Sequence, residues 1–144
     1  MSSMQIVERI GVPPATLFEV FTSQREWFRL SRGAPTEVDP VVGGKFKLFG
    51  GGIQGEYVSL DNQSTPLKIR MKWRMAQWAD DAASDVSLTF EEDGKDTTML
   101  TIDQVKIPSH DKYGNGSQAE NAEQGWRINI LNALDKVLLY PVLN

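Results

Sequence analysis

The sequence predicts an α+β domain in which a curved antiparallel sheet wraps around a long C-terminal helix, with two short helices after the first strand. Three observations carry that reading. Between residues 36 and 106, apolar and polar positions alternate in short runs separated by Gly, Pro, Asn and Asp clusters, the texture of a meander. Beyond residue 117 the period lengthens to three and four, placing Ala119, Ala122, Trp126, Ile130, Ala133 and Val137 on one stripe widened by Leu134 and Leu138. A sheet and a helix that are each apolar on one side bury those sides only against each other, so the sheet must curl around the helix.

The elements follow in order. Residues 5–10 read as a strand, and Val12-Pro13-Pro14 sets up a helix carrying Leu17, Phe18, Val20 and Phe21 on its apolar side. Ser23 with Glu26 is a capping-box pattern opening a second helix with Trp27, Phe28 and Leu30, stopped by Gly33 and Pro35. Strands are expected at 36–39, 45–49, 53–60, 68–75, 85–91 and 97–106, paired with their chain neighbours. Glycines 43, 44, 50, 51, 52 and 55 supply bends for the curvature. The polar stretch 109–116 reads as a mobile loop, Ser117 with Glu120 as a second capping box, and Pro141 as the end of the last helix.

The most unusual segment reads Lys-Ile-Arg-Met-Lys-Trp-Arg-Met at 68–75. As a strand it sets Lys68, Arg70, Lys72 and Arg74 on one face and Ile69, Met71, Trp73 and Met75 on the other. Like charges at about 7 Å spacing repel, so an acidic neighbour or a partner must compensate them. The strand at 85–91 offers internal compensation, since Val86, Leu88 and Phe90 alternate with Asp85, Ser87, Thr89 and Glu91. Opposite charges facing across such a hairpin are worth about 0.2–1 kcal/mol each. A partner is the other reading, and its candidate surface is the four cations with Trp78, which stands in a loop beside Asp80 and Asp81 where a tryptophan is either an interface anchor or a lid on the core. On that reading, reversing Lys72 and Arg74 to Glu weakens docking and leaves the melting temperature nearly unchanged.

Composition narrows the function class. At 144 residues and 40% hydrophobic, the chain suits one domain, 1–144, with ample core. A net charge of -4 argues against general nucleic-acid binding. No apolar run approaches a membrane span, and the first residues lack the features of a signal peptide, so a cytoplasmic protein is expected. Zero cysteines and a single histidine, His110, leave no thiolate or histidine cluster, and neither metal nor cofactor is expected. His110 falls in a polar loop; Glu56 and Asp103 alone have a strand parity that leaves a cleft position open. Catalysis is therefore not expected.

Several motifs acquire a shared meaning when taken together: Val-Gly-Gly-Lys-Phe at 42–46, Gly55-Glu56-Tyr57, Met71-Lys72-Trp73-Arg74 followed by Trp78, Leu88-Thr89-Phe90, Ile107-Pro108 and Gln124-Gly125-Trp126. With these, nearly the whole chain resembles the C-terminal domain of the activators of the heat-shock protein 90 ATPase, a START-like helix-grip family. The resemblance implies a co-chaperone, expected as a monomer, that contacts the N-terminal and middle regions of heat-shock protein 90. It would favour the chaperone's closed, N-terminally dimerised state and raise its ATPase rate without chemistry of its own. Full-length activators of this kind carry a further N-terminal domain that grips the chaperone, so this domain alone is expected to bind more weakly.

Each motif also has a purely structural reading: Gly43-Gly44 as a strand-entry turn, Trp73 as core, Gly125-Trp126 as close helix-sheet packing. The START-like cleft brings an alternative function, a binding protein for a small hydrophobic ligand or lipid. Its expected lining is Phe46, Met71, Trp73, Trp126 and Ile130, supplemented by Phe49, Met75 and Met99.

Overall fold

In the computed structural model, which describes residues 1–143, the chain begins with β1 (Ser2–Ile10), α1 (Pro14–Val20) and α2 (Gln24–Leu30). The meander follows as β2 (Glu37–Val38), β3 (Lys45–Leu48), a 3-10 turn (Phe49–Gly51), β4 (Ile53–Asp61), β5 (Leu67–Met75), β6 (Ser84–Glu92) and β7 (Thr98–Ile107). The C-terminal helix consists of α3 (Gln118–Gln124), a π-helical segment (Gly125–Leu131) and α4 (Asn132–Lys136), and β8 (Val142–Leu143) closes the chain. The strands form one sheet ordered β2-β3-β4-β5-β6-β7-β1-β8, with every adjacent pair antiparallel. This is the α+β helix-grip arrangement expected from the alternation.

Strand parity delivers the core. Ile69, Met71 and Trp73 of β5, Val86, Leu88 and Phe90 of β6, and Leu100 and Ile102 of β7 all point inward and are buried. Gly55 of β4 makes room for both neighbouring strands, because a Cβ there would lie 2.0 Å from the Lys72 carbonyl oxygen of β5 and 2.4 Å from the Phe46 ring of β3. The α1–α2 corner is pinned through one acceptor. The Phe21 carbonyl receives the Trp27 indole N–H at 3.0 Å and the Tyr57 hydroxyl at 2.6 Å. Burial pushes the Tyr57 phenol well above its ordinary pKa, so it stays a donor at all physiological pH.

The helix buries Gln118, Ala122, Trp126, Ile130 and Leu134, an unbroken series of four-residue steps that Leu138 continues just past its end. On a 3.6-residue helix each such step would swing the side chain about 40° around the axis. Widening the middle of the helix to π geometry absorbs that drift and keeps Trp126 and Ile130 over the sheet. Nothing in the apolar periodicity announced the π segment, since it fits the same stripe.

Several local expectations change. Ser23 caps α2 as anticipated, its Oγ accepting from the Glu26 N–H at 3.2 Å. Ser117 does not cap α3: it takes a left-handed φ of 58° with no side-chain cap bond. The polar loop before it is cross-linked rather than loose. Asp111 accepts from the backbone N–H groups of Tyr113 and Asn115 and from the Asn115 side chain, each at 2.9 Å, and Lys112 N–H donates to the Gln77 carbonyl at 2.9 Å. The helix ends at Lys136, before Pro141. Pro141 instead accepts the Gly11 N–H at 2.8 Å, which brings β8 alongside β1.

Candidate functional site

All four cations of β5 point outward, as alternation requires, but their neighbours differ along the strand. Lys72 lies opposite Asp85 and forms an ion pair with it, and Asp85 is also 3.3 Å from Lys106 Nζ. The Lys72 hydrogen bond, with Lys106 adding to it, holds the Asp85 carboxyl below the usual carboxylate range. Arg74 turns back over the β5–β6 connection. Its guanidinium donates to the carbonyls of Trp78 at 2.7 Å and Ala79 at 3.1 Å and approaches Asp80 at 3.3 Å. Lys68 and Arg70 face Thr89 and Ser87 across the ladder and form no ion pair among the described residues. The internal compensation anticipated for the whole stripe is therefore made only at the Lys72–Arg74 end.

Trp78 is no surface anchor: it is fully buried, and its indole N–H donates to Gln118 Oε1 at 2.9 Å. Gln118 in turn donates to the carbonyls of Asn115 and Gly116 at 3.0 and 3.1 Å. The tryptophan closes the core and fastens the head of α3, while Asp80 stays exposed with only Arg74 beside its carboxylate. Reversing Lys72 and Arg74 would also cost stability, since it sets a glutamate against Asp85 and leaves the turn carbonyls without their donor.

Behind β5, a cleft of about 210 Å³ separates the sheet from the π-helical segment. Trp73, Trp126 and Ile130 line it, joined by Phe49, Ile53 and Met75, with Gln77 and Asn129 as its polar groups. Phe46 and Met71 do not. The Phe46 ring is spent on Tyr57 and Trp73, at centroid distances of 5.2 and 5.8 Å, and Met71, buried on β5 two residues before Trp73, stands outside the lining. Met99 lies out of phase with buried Leu100 and Ile102 and so misses the cleft. Gly125 borders the cleft, and a Cβ there would meet nothing within 4 Å, so close packing is not why it is glycine.

Two residues of the cleft, Trp73 and Trp126, belong to a closed polar circuit that the sequence reading passes over. Trp126 donates to Gln104 Oε1 at 3.0 Å, Gln104 donates to Ser84 Oγ at 2.8 Å, and Ser84 donates to the Trp73 carbonyl at 2.8 Å. Trp73 stacks on Trp126 at 4.6 Å, completing the ring. The available signal was parity: Gln104 follows Leu100 and Ile102 on the inward face of β7, so a buried glutamine with a partner was implied there.

No acid-base constellation gathers in the cleft. Glu56 sits between Lys45 and Lys72 in the strand ladders, outward like both of them, and Asp103 accepts from Gln5 at 2.8 Å on the exposed outer face. His110 is exposed, with Ser109 Oγ 3.0 Å from its Nδ1. Among the described residues no group of three His, Asp or Glu side chains is placed to hold a metal ion. No described helix is long and apolar enough to cross a membrane.

Comparison with known proteins places this geometry. Residues 11–138 match the family described as Activator of Hsp90 ATPase homolog 1-like protein. The activator of 90 kDa heat shock protein ATPase homolog from Dictyostelium discoideum is 30% identical over 138 residues, covering 96% of this chain and 33% of that one. The human activator homolog 1 is 32% identical over 115 residues, 79% of this chain and 30% of its own length. The chain thus spans about a third of the length of these curated relatives. An HSP90 activator from Plasmodium falciparum superposes with a TM-score of 0.92 at 36% identity, covering 99% of this chain and all of the other. The Aha1 dimer from Colwellia psychrerythraea shares the fold, with a TM-score of 0.70 at 14% identity over 95% of this chain and 96% of that one.

Proposed function

The chain belongs to the Activator of Hsp90 ATPase homolog 1-like family, and on that premise we propose that it is a co-chaperone domain. It binds heat-shock protein 90 in the cytoplasm, as a monomer, and stimulates or modulates the ATPase cycle by favouring the closed, N-terminally dimerised state. Its contacts are to the N-terminal and middle regions of the chaperone, and it does no chemistry itself. The observation that carries this reading is the likeness to the Plasmodium activator, which extends over essentially the full length of both chains.

The physical mechanism is differential binding. A domain that binds the closed chaperone 1.4 kcal/mol more tightly than the open one raises the closed-to-open ratio about tenfold, and an ATPase limited by closure speeds up accordingly. The outer face of β5 is the docking face in this reading. Lys68 and Arg70 carry charge that its neighbours leave unpaired, which suits fast, reversible encounter. The test is the steady-state ATPase rate of the cognate chaperone titrated with this protein, with a specific chaperone inhibitor defining the background. A saturable rise or a saturable modulation is expected; a flat titration without detectable binding overturns the reading.

A second reading, a binding protein for a small hydrophobic ligand or lipid, is favoured by the cleft beneath the π segment. At about 210 Å³ the cleft is below the roughly 300–1,000 Å³ typical of ligand pockets, which disfavours a lipid and leaves a compact ligand. Native mass spectrometry of freshly purified protein tests it, a ligand-free spectrum counting against it.

A further inference from the structure

Beside the unpaired half of the β5 stripe stands an apolar knuckle built on a held backbone. The register of β4 against β5 shifts between Tyr57 and Ser59, so Val58 is an extra residue opposite the Met71–Arg70 step, and it is 42% exposed. The loop between β2 and β3 is stitched to the same place. Gly43 N–H donates to the Tyr57 carbonyl at 2.8 Å, and Tyr57 N–H donates to the Gly44 carbonyl at 2.9 Å. That loop is also tied to itself, Val41 N–H to Asp39 and Gly44 N–H to Val41, at 2.9 and 2.8 Å. Its tip presents Val41 at 53% and Val42 at 64% exposure. Core strength does not require these side chains outside. Branched valines on a fixed backbone have little rotamer freedom to lose on docking.

Neither cation beside the knuckle is held in an ion pair among the described residues. Across β4, Arg70 faces Ser59 and Lys68 faces Asp61, but Asp61 is engaged by its own turn, accepting from the N–H groups of Gln63 and Ser64 at 3.0 Å each. Across β6 the same cations face Ser87 and Thr89. Two free cations next to three exposed valines, in a chain of net charge -4, define a local surface unlike its surroundings. From this we propose that Val41, Val42, Val58, Lys68 and Arg70 form one docking surface for an acidic protein segment that carries apolar side chains.

This proposal rests on the reading of the outer β5 face as the docking face and specifies the chemistry of what docks there. Charge complementarity selects an acidic occupant, and the valines select one with apolar side chains between its carboxylates. An anionic membrane surface is the competing occupant, because Lys45 and Lys47 also stand outward on β3 without an ion pair among the described residues, and vesicle competition is the outcome that decides against the peptide. Single-stranded nucleic acid is a poorer fit, since none of the five residues is aromatic and no base has a stacking platform.

The test uses fluorescence anisotropy of labelled ten-residue peptides: one alternating Glu with Leu, one alternating Glu with Ser at the same charge, and vesicles containing phosphatidylserine as competitor. The Glu–Leu peptide is expected to bind more tightly than the Glu–Ser peptide, with affinity falling as salt rises. Lys68→Glu with Arg70→Glu should abolish the salt dependence, while Val42→Ser with Val58→Thr should weaken binding about tenfold and leave the salt dependence in place. Lys95→Glu, on the distant β6–β7 turn, controls for net charge and should change nothing. Equal affinity for the two peptides, indifference to the valine pair, or displacement by vesicles overturns the proposal. A saturable ATPase response unaffected by the valine pair overturns this surface while leaving the co-chaperone reading intact, whereas a flat ATPase titration with specific peptide binding does the reverse.

Discussion

At one end of the outer face of β5, Lys72 and Arg74 are engaged by Asp85, Asp80 and the carbonyls of the following turn; at the other, Lys68 and Arg70 face hydroxyl side chains across the ladder to β6. Along the chain these four residues are equivalent, two basic types repeating with period two. Their difference comes from what the sheet sets beside them. Asp85 lies opposite Lys72 only because β6 pairs in one register, and Arg74 finds carbonyls because the chain turns directly after it. An engaged cation is part of the fold, while an unengaged one is available to a partner.

Substitutions along this strand and its turn sharpen the contrast. The largest stability loss is expected from Trp78→Ala, which empties a fully buried site and strands Gln118; about 3–5 kcal/mol should appear in urea unfolding. Gly55→Ala comes next, because a methyl must displace the Lys72 backbone or the Phe46 ring, costing about 1–3 kcal/mol. Arg74→Ala leaves the turn carbonyls without a donor and should cost about 1–2 kcal/mol by thermal melt and urea midpoint.

Asp85→Asn should have a smaller effect that depends on pH. The folded carboxyl titrates below its unfolded value of about 4, so its stabilisation is complete above that value and is lost as pH falls through the folded pKa. Wild type and variant should therefore differ by about 0.2–1 kcal/mol near neutrality and converge in acid, as urea midpoints across pH will show. A gap that persists in acid would mean that packing, not charge, distinguishes them. The smallest stability change belongs to Lys68→Ser with Arg70→Ser, within about 0.5 kcal/mol, although on the proposed co-chaperone role this pair should weaken docking the most per unit of stability lost. If the double variant melts early or binds normally, the division of the strand into two halves fails.

Much of the fold was legible because the signals behind it are local. Alternation at 68–75 and 85–91 needs nothing beyond the pleat to send Ile69, Trp73, Val86 and Phe90 inward, and the stripe from Ala122 to Leu134 needs only a helix. The candidate site was less legible because its members depend on distant neighbours. The polar surroundings of Trp78 leave anchor and core lid equally open, and the choice is made by Gln118, 40 residues later. Ser117 matches a capping box, but the loop that Asp111 ties down delivers it in a left-handed conformation. Phe46 was assigned to the cleft by its apolar character, and instead fills the space that Gly55 leaves open.

By itself, the sequence determined which faces of the strands and of the last helix are apolar, and hence that a sheet must close around a helix, because residue periodicity and hydrophobic burial are properties of neighbours along the chain. The tertiary structure alone decided which cations are paired, which tryptophan is buried, where the helix widens to π geometry and which side chains border the cleft. Those outcomes rest on contacts between segments far apart in the chain, where a shift of one residue in register would exchange every partner.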